Sequence, residues 1–246
     1  MTSLKSEERF YFKEFALDQD QCTMKIGTDG VLLGAWADVQ GAQQILDIGT
    51  GTGLIGIMLG QRTKDSQAKI VAVEIEDQAF QQAIENAEKA PWGERVEVVF
   101  SAVQDFAKEH QTQEKYDLIV SNPPFFSGGT FSKNQERNSV RHTVKLPHGD
   151  LLSAVRSLLA PNGKFSVVLP LIEGMRFQEL ALDYNLFCTR ITKVRPKINK
   201  SVARLLLQFE KQEKEAEISE LVIQKEGRNN WTAEYIRLTK AFYLNM

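Results

Sequence analysis

The stretch from Gln44 to Leu59 constrains the fold more than any other. A short apolar run, Gln44-Ile45-Leu46-Asp47-Ile48, passes through Gly49-Thr50-Gly51-Thr52-Gly53 directly into the helical pattern Leu54-Ile55-Gly56-Ile57-Met58-Leu59. Strand, glycine turn and helix in that order make a nucleotide-binding arrangement: glycines let backbone approach a ligand, and the helix N-terminus offers unpaired N–H groups. The next apolar run, Ile70-Val71-Ala72-Val73, ends in Glu74. A carboxylate there can accept both hydroxyls of a ribose. Gly51, Gly53 and Gly56 also satisfy the dinucleotide fingerprint. In that fingerprint, however, the first glycine follows the strand at once, whereas here Asp47 and Gly49 come first and give Asp-x-Gly-x-Gly-x-Gly.

Strands and helices alternate along the chain. Strands are expected at Ile45–Ile48, Ile70–Ile75, Val96–Phe100, Leu118–Ser121 and Lys164–Leu169, with helices near Leu54–Gln61, Gln78–Lys89, Ala102–Lys108 and Leu151–Leu159. Asp77 reads as an N-cap, and Ala160-Pro161-Asn162-Gly163 as a stop and turn. This succession predicts an α/β fold with a mainly parallel sheet, right-handed crossovers and helices on both faces. A further helix, Glu173–Asp183, precedes strands Phe187–Val194 and Ala203–Phe209, whose spacing fits a terminal antiparallel hairpin. Lys211 to Glu226 is rich in Lys and Glu and reads as a solvated segment. Trp231 to Tyr243 reads as a final amphipathic helix. One domain is expected over 1–246, with an extension at 1–40, a core at 41–210 and a charged segment and helix at 211–246.

Composition excludes more than it specifies. The net charge is −2, so no global field advertises nucleic-acid binding. Cys22 and Cys188 are far apart, which favours free thiols in a reducing compartment. His110, His142 and His148 form no metal-ligand spacing with them, so no metal is expected. The start is too charged for a signal peptide, and no apolar run approaches membrane-spanning length. A cytoplasmic protein that does not engage membranes is the expectation.

Ser121-Asn122-Pro123-Pro124-Phe125 follows the apolar strand Tyr116-Asp117-Leu118-Ile119-Val120. Such a turn suits methylation of a planar nitrogen, in an adenine amino group or a glutamine amide, whose lone pair is delocalised. The Asn122 side-chain oxygen and the Pro123 carbonyl can accept its two N–H bonds together, which favours a nitrogen moving towards tetrahedral geometry. Two prolines fix φ and hold the acceptors in place beforehand. Phe125 can stack on the flat group. A proline-rich turn that merely closes a strand is the structural alternative, and the glycine loop two strands upstream weighs against it.

Over nearly its whole length the chain resembles the bacterial tRNA1(Val) adenine-N6 methyltransferases, a branch of the small Asn-Pro-Pro-aromatic methyltransferases. The resemblance rests on Lys25-Ile26-Gly27-Thr28-Asp29-Gly30-Val31-Leu32-Leu33-Gly34-Ala35-Trp36, on Asp47 to Gly53, on Ser121 to Phe125, and on the ending Ala241-Phe242-Tyr243-Leu244-Asn245-Met246. It implies a Rossmann-like class I methyltransferase fold with a seven-stranded sheet, S-adenosylmethionine as cofactor, and N6 methylation of the adenosine just 3′ of the anticodon. Carried over residue by residue, it implies Thr28 and Asp29 near the methionine moiety, and Asp47, Gly49, Thr50, Gly51, Gly53, Glu74, Ile75, Ala102 and Asn122 around the cofactor. It also implies Asn122, Pro123, Pro124 and Phe125 at the reacting base. One departure stands out. Ser101-Ala102 occupy the place where such enzymes carry an acid for the cofactor's adenine, and Asp105 is a weak substitute.

Basic residues supply a local argument for RNA. Arg190, Lys193, Arg195, Lys197, Lys200 and Arg204 lie together with no acidic residue among them. Lys133, Arg137, Arg141, His142 and Lys145 follow the Asn-Pro-Pro turn. Lys133, Arg137, Arg141, Arg195, Lys197 and Lys200 are therefore the expected contacts to a tRNA anticodon loop, against the alternative of solvated surface. Two other functions stay open from the residues alone. A protein-glutamine methyltransferase would use the same turn but needs a sizeable N-terminal domain, and a non-catalytic RNA-binding scaffold would not need an intact Asn122.

Overall fold

The computed structural model describes residues 9–22, 25–110, 115–124, 146–227 and 229–246. The N-terminal part contributes β1 (Arg9–Tyr11), β2 (Ala16–Asp18) and α1 (Thr28–Trp36). Then come β3 (Gln44–Ile48), α2 (Leu54–Arg62), β4 (Lys69–Glu74), α3 (Asp77–Lys89), β5 (Val96–Phe100), α4 (Val103–Glu109) and β6 (Tyr116–Ser121). The remainder holds α5 (His148–Leu158), β7 (Leu159–Pro170), α6 (Leu171–Leu182), β8 (Phe187–Lys197), β9 (Arg204–Glu210), β10 (Glu217–Gln224) and α7 (Ala233–Thr239).

Eight strands form one sheet in the order β10-β8-β9-β7-β6-β3-β4-β5. β3 runs parallel to β4 and β6, β4 to β5, and β6 to β7. β9 is antiparallel to both β7 and β8, which is the expected terminal hairpin. The central strands are buried on both faces, and their alternation sorts side chains into two cores. Ile45, Leu118 and Val120 pack with α1 and α2, whereas Leu46, Ile48 and Ile119 pack with α5 and Phe177 of α6. The parity that sends Ile45 towards α2 sends Asp47 there too.

The structure corrects three expectations. The sheet has eight strands rather than seven, because Glu217–Gln224 in the charged segment pairs in parallel with β8 as an edge strand. Only Leu221 of that strand is buried; its glutamates face solvent, as edge strands require. Asp77 is not the N-cap of α3, since Glu76 takes that position and Asp77 lies in the first turn. Ala160 to Gly163 do follow the end of α5, but they are not a separate turn before the next strand, because β7 already begins at Leu159. Leu159 opposes Tyr116 and Lys164 opposes Leu118, so the turn residues form a bulge within β7.

The N-terminal extension packs on the core. β1 and β2 form a hairpin, and α1 crosses α2 closely. A Cβ on Gly34 would meet the Met58 Sδ at 2.8 Å, and one on Gly30 the Leu54 Cδ2 at 2.9 Å. The C-terminal helix is shorter than expected and is capped by Thr232, whose hydroxyl accepts the Tyr235 N–H. Tightness elsewhere gives a stability test. A Cβ at Gly93 would lie 1.8 Å from the carbonyl oxygen of Ala87, a backbone atom that cannot turn aside. Gly93→Ala should therefore cost at least ~1–3 kcal/mol, the usual range for overpacking, as measured by urea denaturation. Unchanged stability would mean that the turn after α3 is laxer than its geometry.

Candidate active site

The site lies at the carboxyl end of the sheet, where β3, β4 and β6 deliver Asp47, Glu74 and Asn122. Asp47 is fully buried. Its Oδ2 accepts the Thr50 hydroxyl at 2.6 Å and the Gly56 N–H at 3.0 Å, while Oδ1 has no partner among the described residues. Burial pushes its carboxyl up to about 6 from the ordinary value of 3.8; the two hydrogen bonds oppose the rise and the charge of Glu74 adds to it.

Glu74 holds the glycine loop. Its Oε2 accepts the Gly51 N–H at 2.8 Å, and Oε1 accepts the N–H groups of Ile75 at 2.8 Å and Glu76 at 2.9 Å. A carboxylate offers about four lone-pair positions, so acceptor capacity remains for a ribose, mainly on Oε2. The loop itself needs its glycines: Gly49, Gly51 and Gly53 have φ of 70°, 60° and 82°, conformations that side chains with a Cβ adopt only with strain. Thr50 is buried in the loop through its bond to Asp47.

Two features around this loop carried no sequence signal. Buried Asn86 on α3 donates to the carbonyls of Thr52 and Asp18, and accepts the Asp18 N–H, each at 2.8 Å. It thereby ties the N-terminal hairpin to the glycine loop. Only an amide on the apolar face of a helix could have hinted at it. Cys22 is also buried near the loop, and its thiol is pushed up to about 12 by burial and by the charges of Glu74 and Glu76.

Asn122 follows β6, whose last residue is pinned by a 2.9 Å bond from the Ser121 hydroxyl to the Ile48 carbonyl. The Asn122 Oδ1 is buried and has no partner among the described residues. Its Nδ2 lies beside α1, 3.9 Å from where a Cβ on Gly30 would stand. Pro123 is buried and Pro124 exposed. The structure thus brings Asn122, the glycine loop and the first turn of α1 together. Within that turn Thr28 is exposed, and Asp29 forms an ion pair with the Arg204 Nε at 2.8 Å. Phe125, Lys133, Arg137 and Arg141 lie outside the described residues.

Ile75 and Ala102 stand at neighbouring strand ends. Ile75 is 39% exposed, and Ala102 is the N-cap residue of α4. Phe100, to which no motif points, opposes Glu74 in register, is 53% exposed, and lies 5.2 Å from Phe80 between ring centroids. Asp105 turns to Lys108 at 3.0 Å on the solvent side. The basic run divides. Arg190 stacks over Trp36 at 4.1 Å, Arg195 pairs with Glu220 of the unexpected strand at 2.6 Å, and Arg204 pairs with Asp29. Lys193 and Lys200 are exposed and Lys197 is half-buried. Because β8 runs parallel to β7, the β8–β9 turn lies at the same end of the sheet as Asn122. It is two to three strands away, roughly 10–14 Å at the usual strand spacing. Among the described residues, no group of three His, Cys, Asp or Glu could hold a metal ion, and no helix is long and apolar enough to cross a membrane.

A parallel sheet ending in an antiparallel hairpin, with a glycine loop after β3 and an Asn-Pro-Pro turn after β6, defines a class I methyltransferase. Comparison with known proteins narrows the class. The methyltransferase small domain family matches residues 26–171. A tRNA1(Val) (adenine(37)-N6)-methyltransferase of Christiangramia forsetii is 42% identical, over 98% of this chain and 100% of that protein. One of Flavobacterium johnsoniae is 43% identical, over 96% and 100%. Among solved structures, one described as a predicted O-methyltransferase from Agrobacterium tumefaciens aligns with a TM-score of 0.68 over 87% of this chain and 96% of that chain. At 17% identity it speaks for the fold alone. The chain belongs to the methyltransferase small domain family, in its tRNA1(Val) (adenine(37)-N6)-methyltransferase branch.

Two measurements follow from the carboxylates. Glu74→Gln removes charge and replaces one accepting oxygen with a donor, so it should weaken binding of S-adenosylhomocysteine by ~1.5–3 kcal/mol, about 10- to 150-fold. Calorimetry giving wild-type affinity would exclude Glu74 from the cofactor site. For Asp47 the folded value is raised, so its stabilising contribution is complete below about pH 4 and lost as pH rises through about 6. Asp47→Asn should therefore gain stability relative to wild type as pH rises from 4 to 6 without cofactor. Parallel thermal-melting profiles for the two proteins across that interval would contradict the burial account.

Proposed function

We propose that this protein transfers the methyl group of S-adenosylmethionine to N6 of the adenosine 3′ to the anticodon, adenosine 37, of tRNA1(Val). The observation that carries the reading is the buried Oδ1 of Asn122 beside the glycine loop, unpartnered among the described residues. A buried acceptor left without a donor is costly unless a ligand supplies one, and an exocyclic amino group supplies it. The relatives' names support the same chemistry and the same base.

The residues present fit the cofactor. Asp47 Oδ1 is a second buried acceptor with no partner among the described residues, and its charge suits a donor from a cationic ligand. Glu74 Oε2 retains capacity for a ribose hydroxyl, the left-handed glycines keep the loop free of side chains, and Ile75 with Phe100 offers apolar surface at the strand ends. Ala102 at the start of α4 leaves adenine recognition to backbone and apolar contact. When bound, the cofactor supplies a methyl group on a sulfonium.

The chain's own residues then orient the nitrogen. Asn122 Oδ1 and the Pro123 carbonyl accept its two N–H bonds, and Pro123 and Pro124 keep these acceptors from relaxing. As the lone pair turns towards the methyl, the nitrogen becomes tetrahedral and its N–H groups more acidic. Both bonds therefore strengthen in the transition state. No side-chain base is required if the proton leaves after transfer. Phe125 would stack on the base, which must leave the anticodon-loop stack to reach the site. The relatives, 42% and 43% identical over nearly the whole chain, are named for a tRNA adenine and not for a protein glutamine, which favours the RNA reading. A tRNA substrate is met in the cytoplasm, which is the location this reading requires.

Asn122→Ala should lower single-turnover methylation at saturating tRNA by ~10²–10³, by analogy with the loss of one preorganised partner of a developing charge, with cofactor affinity nearly unchanged. A rate near wild type would take Asn122 out of the mechanism. For RNA binding, Lys197 and Lys200 of the β8–β9 region have no carboxylate partner among the described residues, whereas Arg195 is partly neutralised by Glu220. Lys197→Ala with Lys200→Ala should weaken tRNA binding and make its salt slope shallower by roughly 0.7–0.9 for each phosphate no longer neutralised. Identical binding at several salt concentrations would leave this turn as solvated surface.

A further inference from the structure

Arg204 opens β9, opposite Pro170 of β7 and Val194 of β8, directly after the β8–β9 turn that carries Lys200. Its side chain leaves that turn and reaches the first turn of α1, where Nε donates to Asp29 Oδ2 at 2.8 Å. Both partners are partly buried, with side chains 30% and 21% exposed, so water screens this pair less than the surface pairs of the molecule. The N-cap residue of α1, Gly27, offers no side-chain cap. Its carbonyl accepts the Val31 N–H only at 3.4 Å, and Gln19 holds Ile26 before it. Among the described residues, Asp29 therefore carries the one side-chain hydrogen bond from the first turn itself to another strand. Gly30, the residue after Asp29, is the point at which α1 touches Leu54 and comes beside the Asn122 amide. A shift of this turn therefore moves the wall against which Asn122 is oriented.

We propose that Arg204 is a positioning residue for methyl transfer. Through Asp29 it fixes the first turn of α1, and through that turn the Asn122 amide. Because Arg204 is four residues from Lys200, the same contact mechanically joins the RNA-facing turn to the reacting centre, so that tRNA seated on the turn steadies the site it is to react in. This linkage rests on the function proposed above; the anchoring of α1 by Arg204 does not.

The test uses the full chain with Arg204→Met, which keeps length and loses charge, Asp29→Asn, their combination, and Arg204→Lys. Amide hydrogen exchange across residues 28–33 without RNA examines the anchor. Exchange there should quicken about 10-fold in Arg204→Met and Asp29→Asn, recover in part in Arg204→Lys, and stay unchanged in β4 and β6. Single-turnover methylation at saturating tRNA and cofactor examines the consequence. Each single variant should be about 10- to 100-fold slower, the cost of a misplacement near 1 Å. The double variant should be no slower than either, as two residues acting through one contact require. Unaltered exchange at 28–33 overturns the anchor whatever the enzyme does. Quickened exchange with wild-type turnover, or effects that add in the double variant, overturns the positioning role. A wild-type protein that methylates no tRNA defeats the proposed function instead, and the exchange measurement still decides the anchor.

Discussion

Two carboxylates at the ends of adjacent strands, Asp47 on β3 and Glu74 on β4, set the terms for everything around them. They repel, and Glu74 contributes to the raised value of Asp47. They are kept side by side by N–H and O–H donors that converge from the glycine loop and the start of α2: Thr50 and Gly56 on Asp47, Gly51 on Glu74. That convergence is possible only if the loop turns sharply enough to aim successive amides at both strands, which is why three of its glycines are left-handed. The loop is thus shaped by the charges it serves. Asp47 still has a buried oxygen with no partner among the described residues, a cost that a donor-bearing ligand would remove.

How much of this was legible depended on whether partners are close in sequence. Strands β3, β4, β6 and β7 were readable because a parallel strand covered on both faces is a continuous apolar run. β10 was not, because an edge strand with one buried residue has the composition of a solvated segment. The short hairpin β1–β2 escaped notice for a similar reason, three residues being too few for any period to show. Ala160 to Gly163 carry genuine turn chemistry. What the sequence could not show is that β6 continues past them and turns the break into a bulge.

The same division runs through the site. The glycine loop, Glu74 and Asn122 are local patterns, each following its own strand, and all three were legible. Asn86 holds the loop from another helix. Asp29 and Arg204 are 175 residues apart, and no spacing rule joins them. The basic run from Arg190 to Arg204 was visible as charge, but charge alone does not say what each cation does. Arg190 covers the Trp36 ring and hydrogen-bonds its carbonyl. Arg195 meets Glu220, which belongs to the strand the composition concealed. Missing that strand therefore meant overcounting the unpaired charge next to it.

On the proposed function, a chain of net charge −2 has to bring a polyanion to one end of a sheet, and the division of the basic run bears on how it would. Arg190, stacked on Trp36, and Arg204, paired with Asp29, are partly buried and screened little by salt, whereas the exposed Arg195–Glu220 pair is screened. On the same reading, the exposed Lys193 and Lys200, with the half-buried Lys197, are the ones left for RNA to neutralise with release of counterions. Such a patch is small, so it orients more than it binds, and discrimination has to come from the pocket. There the acceptors of the Asn-Pro-Pro turn are held by the proline rings, by the Ser121 bond to Ile48 and by the close approach of Gly30. A nitrogen with two N–H bonds satisfies the turn, whereas a carbonyl or an ether oxygen brings no donor and leaves Asn122 Oδ1 buried and unpaired. Selection for an amino group over a carbonyl or ether oxygen at the reacting position thus follows from the penalty on an unmade hydrogen bond, without any need for a large or strongly charged binding surface.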